Sequence, residues 1–362
     1  MMKRQASIKK VRLVDVAHAA GVSLGVASQV LGNGKSNSRA SKETAERILK
    51  VAGELKFRPD PNARRLRGAR SNLYGVLVAS AGDPLVSFLV QFLDMEAMKV
   101  GSRTLICNTI GDSSLAPDQF DYHVQELLHQ GVDGVFCAVH DWFGGNRREL
   151  LRVHPNTVFY EDPGIAGASY VTVDRAAAAR LAVRHLFERG CRRIGIALRG
   201  VSRPKQMARL SGYRAEMAAC GLAVSESLIF NGQDFSAAVP ICDTRGETWN
   251  FPSEIGTRTV DALVRDGGAD GIIAPDDFWA SVIIRHLRAR GIRVPDDVAV
   301  VGYLNHYLAD WIDPPLTTIS RCQDEAARRM VSMMEQRVAN GKLPESERAV
   351  MVQPKLVIRQ SA

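Results

Sequence analysis

Between residues 11 and 31 the chain reads Val-Arg-Leu-Val-Asp-Val-Ala-His-Ala-Ala-Gly-Val-Ser-Leu-Gly-Val-Ala-Ser-Gln-Val-Leu, two short amphipathic stretches broken at Gly21. Leu13, Val16, Ala17 and Ala20 fall at i, i+3, i+4 and i+7, which predicts one apolar stripe on a first helix. Gly21 permits a tight turn, and Ser23 is placed to cap a second helix whose inner edge is Ala27, Val30 and Leu31. The opposite face carries Ser23, Leu24, Gly25, Ser28 and Gln29, small and polar groups suited to base edges and phosphates. Ser41-Lys-Glu-Thr then precedes Ala45, Ile48, Leu49, Ala52 and Leu55, so a third helix can close a compact bundle. The outline is that of a helix-turn-helix reader of the DNA major groove. A helical hairpin inside some larger core is the competing reading of the first stretch alone.

Charge favours the first reading. Residues 1–70 hold 16 Lys and Arg against 5 Asp and Glu, whereas the whole chain is +8, so the remainder carries −3. The footprint for a polyanion therefore lies on the N-terminal segment, and a solvated basic tail would not explain the periodic apolar positions between the charges.

Phe57-Arg-Pro-Asp-Pro-Asn-Ala-Arg-Arg-Leu-Arg-Gly-Ala-Arg-Ser71 follows, with Asp60 as a helix cap and Pro61 at the first helical position. A helix from Pro61 to about Arg67 is too short to be stable alone, since isolated helices under about 12 residues are marginal in water. It would need DNA or a second copy of itself to form.

Residues 11–71 resemble the head and hinge of the lactose-repressor/galactose-repressor (LacI/GalR) family of bacterial transcription regulators. Val22, Ser23, Ser28, Val30 and Leu31 match the family's pattern in the second helix, and Arg58, Pro59, Ala63, Arg64 and Leu66 match it in the hinge. The resemblance implies that Leu24 and Gly25 discriminate operators in the major groove, that Arg64 belongs to the hinge contact, and that Leu66 is a minor-groove wedge. Val26, Gln29 and Gly32 depart from the usual Thr, Arg and Asn. Gln can pair with adenine where Arg prefers guanine, so a different half-site is expected. The loop Gly32–Ala40 looks about three residues longer than is typical of the resemblance; with Lys35 and Arg39 it fits added phosphate contacts and a plain surface loop equally.

Beyond residue 72, short β-rich runs alternate with helix-length stretches. The runs are Tyr74–Ala79, Thr104–Cys107, Gly134–Ala138, Thr157–Tyr160, Ile194–Leu198, Gly271–Ala274 and Val298–Val301; the helical stretches include Phe88–Val100, Ala176–Arg189 and Ala280–Arg290. Several runs are continuously apolar, as buried parallel strands are, which predicts doubly wound α/β layers with ligands at the carboxyl ends of the strands. Gln130–Val135, His185–Ile194, Gly291–Tyr303 and Asp313–Ile319 look like signatures of the same family. By that resemblance the expected architecture is an all-α head at 8–57, a hinge at 58–72 and a two-lobed periplasmic-binding-protein-like core at 73–362. Lobe one is expected over about 73–196 and 304–320, and lobe two over 197–303 and 321–362.

The resemblance also places effector residues in the cleft. Arg209 matches an arginine aimed at a hydroxyl or carboxylate, for which a planar fork is suited. Asp83 and Leu85 follow the first strand, Asp162 is another cleft-facing acid, and Asp276-Asp277 stands where Asn-Asp is usual. Leu304 replaces a hydroxyl-binding Asp, which weakens a sugar effector and strengthens a less hydroxylated, ring-bearing or anionic one. Trp142, Phe143 or Trp279 would then supply apolar surface, against the alternative that each is ordinary packing. The segment 233–250, with Cys242, Asp243, Arg245 and Trp249, fits no element of the family.

Six cysteines without C-x-x-C spacing suit reduced thiols of a cytoplasmic protein, and the scattered histidines show no metal-ligand spacing. No signal peptide or membrane-length apolar run is visible, and no cofactor, metal or catalytic set is expected. The reading is a homodimeric repressor that binds double-stranded operator DNA under control of a small effector, carbohydrate-derived or related. A metabolite-processing enzyme with an appended head and a transporter's solute-binding protein are the alternatives. The first lacks a nucleophile-base set or phosphate loop; the second lacks an export signal.

Overall fold

In a computed structural model the described residues are 11–33, 40–57, 70–78, 84–109, 119–139, 147–199, 204–232 and 253–362. The expected hinge helix with Arg64 and Leu66, the loop residues Lys35 and Arg39, Asp83, Trp142, Phe143 and the segment 233–250 lie outside them, as does the side chain of Leu85. The chain divides into two compact units, 1–71 and 72–362.

The described residues of the first unit form three helices: α1 (Leu13–Ala19), α2 (Leu24–Asn33) and α3 (Lys42–Glu54). Helices α1 and α2 turn by 109° at the break, within the range of helix-turn-helix pairs. Gly21 sits at φ +62°, a left-handed conformation that a side chain would strain. The Ser23 hydroxyl accepts from Val26 N at 3.4 Å, and Ser41 accepts from Thr44 N at 3.2 Å, so both expected serines cap their helices. Val16, Ala20, Val30, Ala45, Ile48 and Ala52 form one apolar core. Leu49 does not join it: the side chain is 39% exposed, and Val51 packs against the core from the same helix. At 100° per residue the stripe through Ala45, Ile48 and Ala52 leaves position 49 at its margin.

The second unit holds two six-stranded sheets. In chain order the elements are β1 (Leu73–Val78), α4 (Pro84–Lys99), β2 (Arg103–Asn108), α5 (Gln119–Gln130), β3 (Gly134–Ala138), α6 (Arg147–Val153), β4 (Thr157–Tyr160), β5 (Ser169–Val173), α7 (Arg175–Glu188), β6 (Ile194–Leu198), α8 (Pro204–Ala219), β7 (Ile229–Asn231), α9 (Ser253–Val260), β8 (Gly271–Ile273), α10 (Asp277–Ala289), β9 (Ala299–Leu304), β10 (Thr317–Ser320), α11 (Gln323–Asn340), β11 (Ala349–Val352) and β12 (Lys355–Val357). Sheet one runs β11-β5-β4-β3-β1-β2 and sheet two β12-β10-β9-β8-β6-β7; among the described residues only the pairing of β12 with β10 is antiparallel. Parallel strands buried on both faces explain the continuous apolar runs Gly134–Ala138 and Ile194–Leu198.

The lobes divide elsewhere than the sequence suggests. Strand β6 and helix α7, expected in lobe one, belong to the second lobe: β6 pairs with β7 and β8, and Ala178, Ala182 and Leu186 of α7 pack with Ile194 and Ile196. Strand β10 likewise pairs with β9 in sheet two. Conversely α11 and β11, expected in lobe two, complete lobe one, where Met330, Met333 and Met334 cover Tyr74, Phe136 and Val158. Lobe one is therefore 73–173 with 322–352, lobe two is 175–320 with 355–362, and the chain passes between them at Asp174, at Arg321 and at Gln353-Pro354. Apolar periodicity reports that a segment is buried, not which sheet buries it. Leu89 and Leu93 of α4 share that first-lobe core, while α5 and α6 cover the other face of sheet one through Val124, Leu127 and Leu150. On sheet two, α9 and α10 cover the face opposite α7 and α8 through Ile255, Trp279 and Ile283.

Candidate functional site

The head divides α2 into two faces. Ala27 and Val30 are buried, whereas Ser23, Leu24, Gly25 and Gln29 are exposed and Ser28 is half-buried. Leu24, 51% exposed, is an apolar group held in solvent near the start of the helix, where packing does not ask for it. A Cβ at Gly25 would meet only Ser23 Oγ at 3.9 Å, so nothing inside the head demands glycine there. Its absence of side chain instead lets another molecule approach the helix backbone closely.

In the core unit, the carboxyl ends of the strands carry a cluster of charges. Tyr160 ends β4, and Glu161 follows with φ 81° and its amide on Val171 O. The Glu161 carboxylate accepts from both terminal nitrogens of Arg175 at 2.5 and 2.6 Å, from Arg321 at 2.7 Å and from the Thr172 hydroxyl at 2.7 Å. Burial alone would raise this carboxyl's pKa, but the guanidiniums, Arg175 foremost, reverse that and hold it well below the usual range. Glu161 belongs to lobe one while Arg175 and Arg321 lie at two of the three passages, so the cluster ties the lobes at their pivots.

The second half of the cluster lies in lobe two. Arg199, after β6, donates through Nε and Nη2 to Asp276 Oδ2 at 2.9 and 2.6 Å, and Asp276 Oδ1 caps α10 through Trp279 N. Arg209, on α8, donates to the carbonyls of Pro275 and Ala274 at 3.0 and 2.9 Å and lies 4.5 Å over the Tyr303 ring. It makes no ion pair among the described residues. Its burial, with Arg175 and Arg321 nearby and only partly offset by Tyr303 and Asp276, pushes its pKa down to about 10. Arg321 in turn lies 5.1 Å from the Tyr160 ring centre and 5.8 Å from that of Tyr303.

The structure thus brings Arg209 and Asp276 together as the sequence suggested, corrects the expectation for Asp162 and decides between the two readings of Trp279. Asp162 is exposed and turned away from the cluster, accepting from Gly164 N at 2.8 Å; its neighbour Glu161 is the acid that faces inward. Trp279 is fully buried, donates to Thr259 Oγ1 and packs against Phe230, so it is core and not cleft surface. Asp277 is buried too. It accepts from the Thr318 hydroxyl at 2.5 Å and from His306 N at 2.7 Å, fixing the floor between α10, β10 and the turn after β9. Leu304 lies in that turn's approach at φ 146°, a strained conformation for a side-chain-bearing residue, and is buried. Above it Phe88 of lobe one stacks on the His306 ring of lobe two at 4.7 Å and 19°.

Burial pushes the Asp277 carboxyl up to about 6, more than its two hydrogen bonds lower it. A folded-state value above the unfolded one of 3.8 means that this group favours folding most at low pH and that its contribution is lost as pH rises from 3.8 through about 6. Carboxyl NMR of aspartate-labelled protein should show one resonance titrating near pH 6, absent from Asp277→Asn; a midpoint below pH 4.5 would show the site to be wet.

Sequence reasoning missed Glu161, Arg175, Arg199, Arg321, Tyr160 and Tyr303. They lie 14 to 160 residues apart along hydrogen-bonded pairs such as Glu161–Arg175 and Glu161–Arg321, and no local spacing unites them. The one available signal was position, since each stands at the end of an apolar run or at the start of the following helix.

Comparison with known proteins agrees with both units. Residues 12–60 match the family "Bacterial regulatory proteins, lacI family", and residues 183–362 match "Periplasmic binding protein-like domain". The HTH-type transcriptional regulator DegA of Bacillus subtilis is 27% identical over 97% of this chain and 98% of its own length. The HTH-type transcriptional repressor PurR of Vibrio campbellii is 25% identical over 96% of this chain and 97% of its own. A crystal structure of the Lac repressor dimer bound to operator and the anti-inducer ONPF shares the fold, with a TM-score of 0.77 at 21% identity, covering 98% of this chain and 99% of that one. A lacI-type head joined to a two-lobed periplasmic-binding-like core places this chain in the LacI/GalR family of bacterial transcription regulators.

Proposed function

We propose that the chain is a repressor that binds a pseudopalindromic operator and changes its grip on DNA when a small molecule enters between the lobes of its core. The observation that carries the reading is the division of α2, where Ala27 and Val30 turn inward and Ser23, Leu24, Gly25 and Gln29 face solvent after a 109° turn. Ser23, Leu24, Gly25, Ser28 and Gln29 are assigned to the major groove, with Arg64 and Leu66 assigned to the hinge contact by resemblance. Arg209 and Asp276 are assigned to the effector, Asp277 to the floor that positions it, and Asp83 and Leu85 to the effector by resemblance.

A second copy of the chain is the natural partner of an operator with two half-sites. Lobe one offers a surface for it: Met95, Met98 and Val100 beside edge strand β2, with Ile106 on that strand, are apolar and exposed. Sedimentation of the full chain reads this directly, and a monomer at micromolar concentration would overturn it. Acting on chromosomal DNA, the protein works inside the cell, and no single described helix is long and apolar enough to cross a membrane. Its relatives are regulators, and the charge cluster has the makings of a binding site and not of a nucleophile-base pair.

The test is genome-wide mapping of bound DNA on different carbon sources, followed by binding-site selection with the purified chain. A few palindromic sites are expected. Gln29→Arg should move one position of each half-site from A·T toward G·C, a discrimination of about 1–3 kcal/mol for a bidentate pair. Diffuse binding under every condition, or a Gln29→Arg variant with unchanged preference, would sink the reading.

A further inference from the structure

The inference concerns the ligand and rests on the reading of the cleft as the effector site. Six buried polar atoms of the cluster have no hydrogen-bond partner among the described residues: Arg199 Nη1, Arg209 Nε, Arg321 Nε, Tyr160 Oη, Tyr303 Oη and Gln206 Oε1. Each belongs to a side chain at least nine-tenths buried. Buried polar groups are nearly always paired, so such a set in one place marks a site that another molecule completes.

The six are neighbours. Tyr303 lies between Arg209 and Arg321, Tyr160 lies under Arg321, Gln206 precedes Arg209 by one turn of α8, and Asp276 links Arg199 to the same group. Five of the six can donate; the Gln206 carbonyl is the one obligate acceptor. The described carboxylates cannot redress that imbalance. Glu161 already accepts four hydrogen bonds, Asp276 three, and Asp277 is taken by Thr318 and His306. Leu304 adds apolar surface and no acceptor. Four buried guanidiniums face the two carboxylates paired with them, Glu161 and Asp276, and the buried Asp277 below adds one further acid, so among the described residues positive charge out of water remains in surplus. Uncompensated buried charge is unfavourable and is relieved by an anion.

We propose that the effector is a small hydroxy acid, its carboxylate taken by the free guanidinium and tyrosine donors and a hydroxyl donating to Gln206. Among the described residues a neutral sugar would find open acceptors only in Gln206 and the two tyrosine hydroxyls, and it would leave the surplus positive charge unrelieved. A phosphate ester would satisfy the charge, and is the arm that the experiment must separate.

The full-length protein is titrated by calorimetry and thermal shift with gluconate, galactonate, galacturonate, malate and tartrate, with glucose, galactose and ribose as neutral counterparts, and with glucose 6-phosphate. At least one hydroxy acid is expected to bind 100-fold or more tightly than any neutral sugar, more weakly as salt rises. Tyr303→Phe and Tyr160→Phe keep the rings and remove only the free hydroxyls; each should weaken that acid about tenfold, the scale of a hydrogen bond to a charged group, while the ligand-free melting temperature holds. A neutral sugar binding as tightly as the acids, preference for the phosphate ester, or no acid binding overturns the proposal. Operator affinity is read in parallel. A neutral sugar that releases operator would overturn the ligand class and leave the regulator standing; an acid that binds without changing operator affinity would do the reverse.

Discussion

Replacing Glu161 by Gln is expected to cost the core unit about 3–5 kcal/mol, the scale of stranding buried charges by removing their partner. The reason is stoichiometric. One carboxylate, 4% exposed, serves both Arg175 and Arg321, and its loss leaves two guanidiniums buried with no carboxylate bonded to them. Urea unfolding should show the midpoint falling with an unchanged slope, as befits a change in stability and not in the surface exposed. Asp297→Asn is the control: Asp297 also sits in short contact with an arginine, Arg293 at 2.6 Å, but in solvent, and its loss should leave the midpoint where it was. A loss below about 1 kcal/mol for Glu161→Gln, the range of exposed pairs, would show that the cluster is hydrated and that its burial is misjudged.

The same carboxylate sets a pH signature. Because its folded-state pKa lies below the unfolded value of 4.5, its stabilisation is complete above that pH and drains as pH falls below it. Asp277 has the opposite sign, favouring the fold most at low pH and losing that contribution as pH rises toward about 6. Glu161→Gln should flatten the acid limb of the stability curve, and Asp277→Asn should flatten the decline between pH 4 and 6.

How much of this was legible in the sequence follows from how local each feature is. The head was readable almost residue by residue, because helix periodicity, caps and the Gly21 turn all act within four positions; Leu49 was misplaced only because it stands at the edge of the stripe. Strands β1, β3, β4 and β6 showed as apolar runs. Strands β7, β11 and β12, three or four residues each, were too short to show a period. Which lobe a strand joins depends on partners far along the chain, and there the reading of β6, β10 and α11 failed. In the cleft the sequence singled out Arg209 and noticed that Leu304 had displaced an acid. It chose Asp162 over Glu161 because adjacent acids at a strand end are indistinguishable until the φ of 81° at Glu161 decides which one turns inward. The surplus of donors is a property of six side chains assembled by the fold, and no window of sequence contains it.

Truncating Ile48 to Ala is expected to weaken operator binding in a temperature-dependent way while leaving the core's ligand affinity within twofold. Ile48 is fully buried at the meeting of all three head helices, where Val16, Ala20, Val30, Ala45 and Ala52 surround it. Ile→Ala in a core costs roughly 2–5 kcal/mol, against the roughly 3–9 kcal/mol that holds a unit of about 60 residues. The core around Ile48 is largely Val and Ala, whose short side chains cannot swing in to fill the space. Operator affinity scales with the fraction of heads that are folded, so each 1.4 kcal/mol beyond the midpoint removes about another tenfold. Binding should therefore fall as temperature approaches the head's lowered melting point and recover on cooling, while ligand titration of residues 72–362, whose core shares no side chain with that of the head, is unchanged. Leu49→Ala, one residue along and 39% exposed, supplies the contrast and should leave operator binding nearly intact. Equal losses for the two variants would mean that α3 presents a different face to the bundle, and the assignment of α2's outward face to DNA would fall with it.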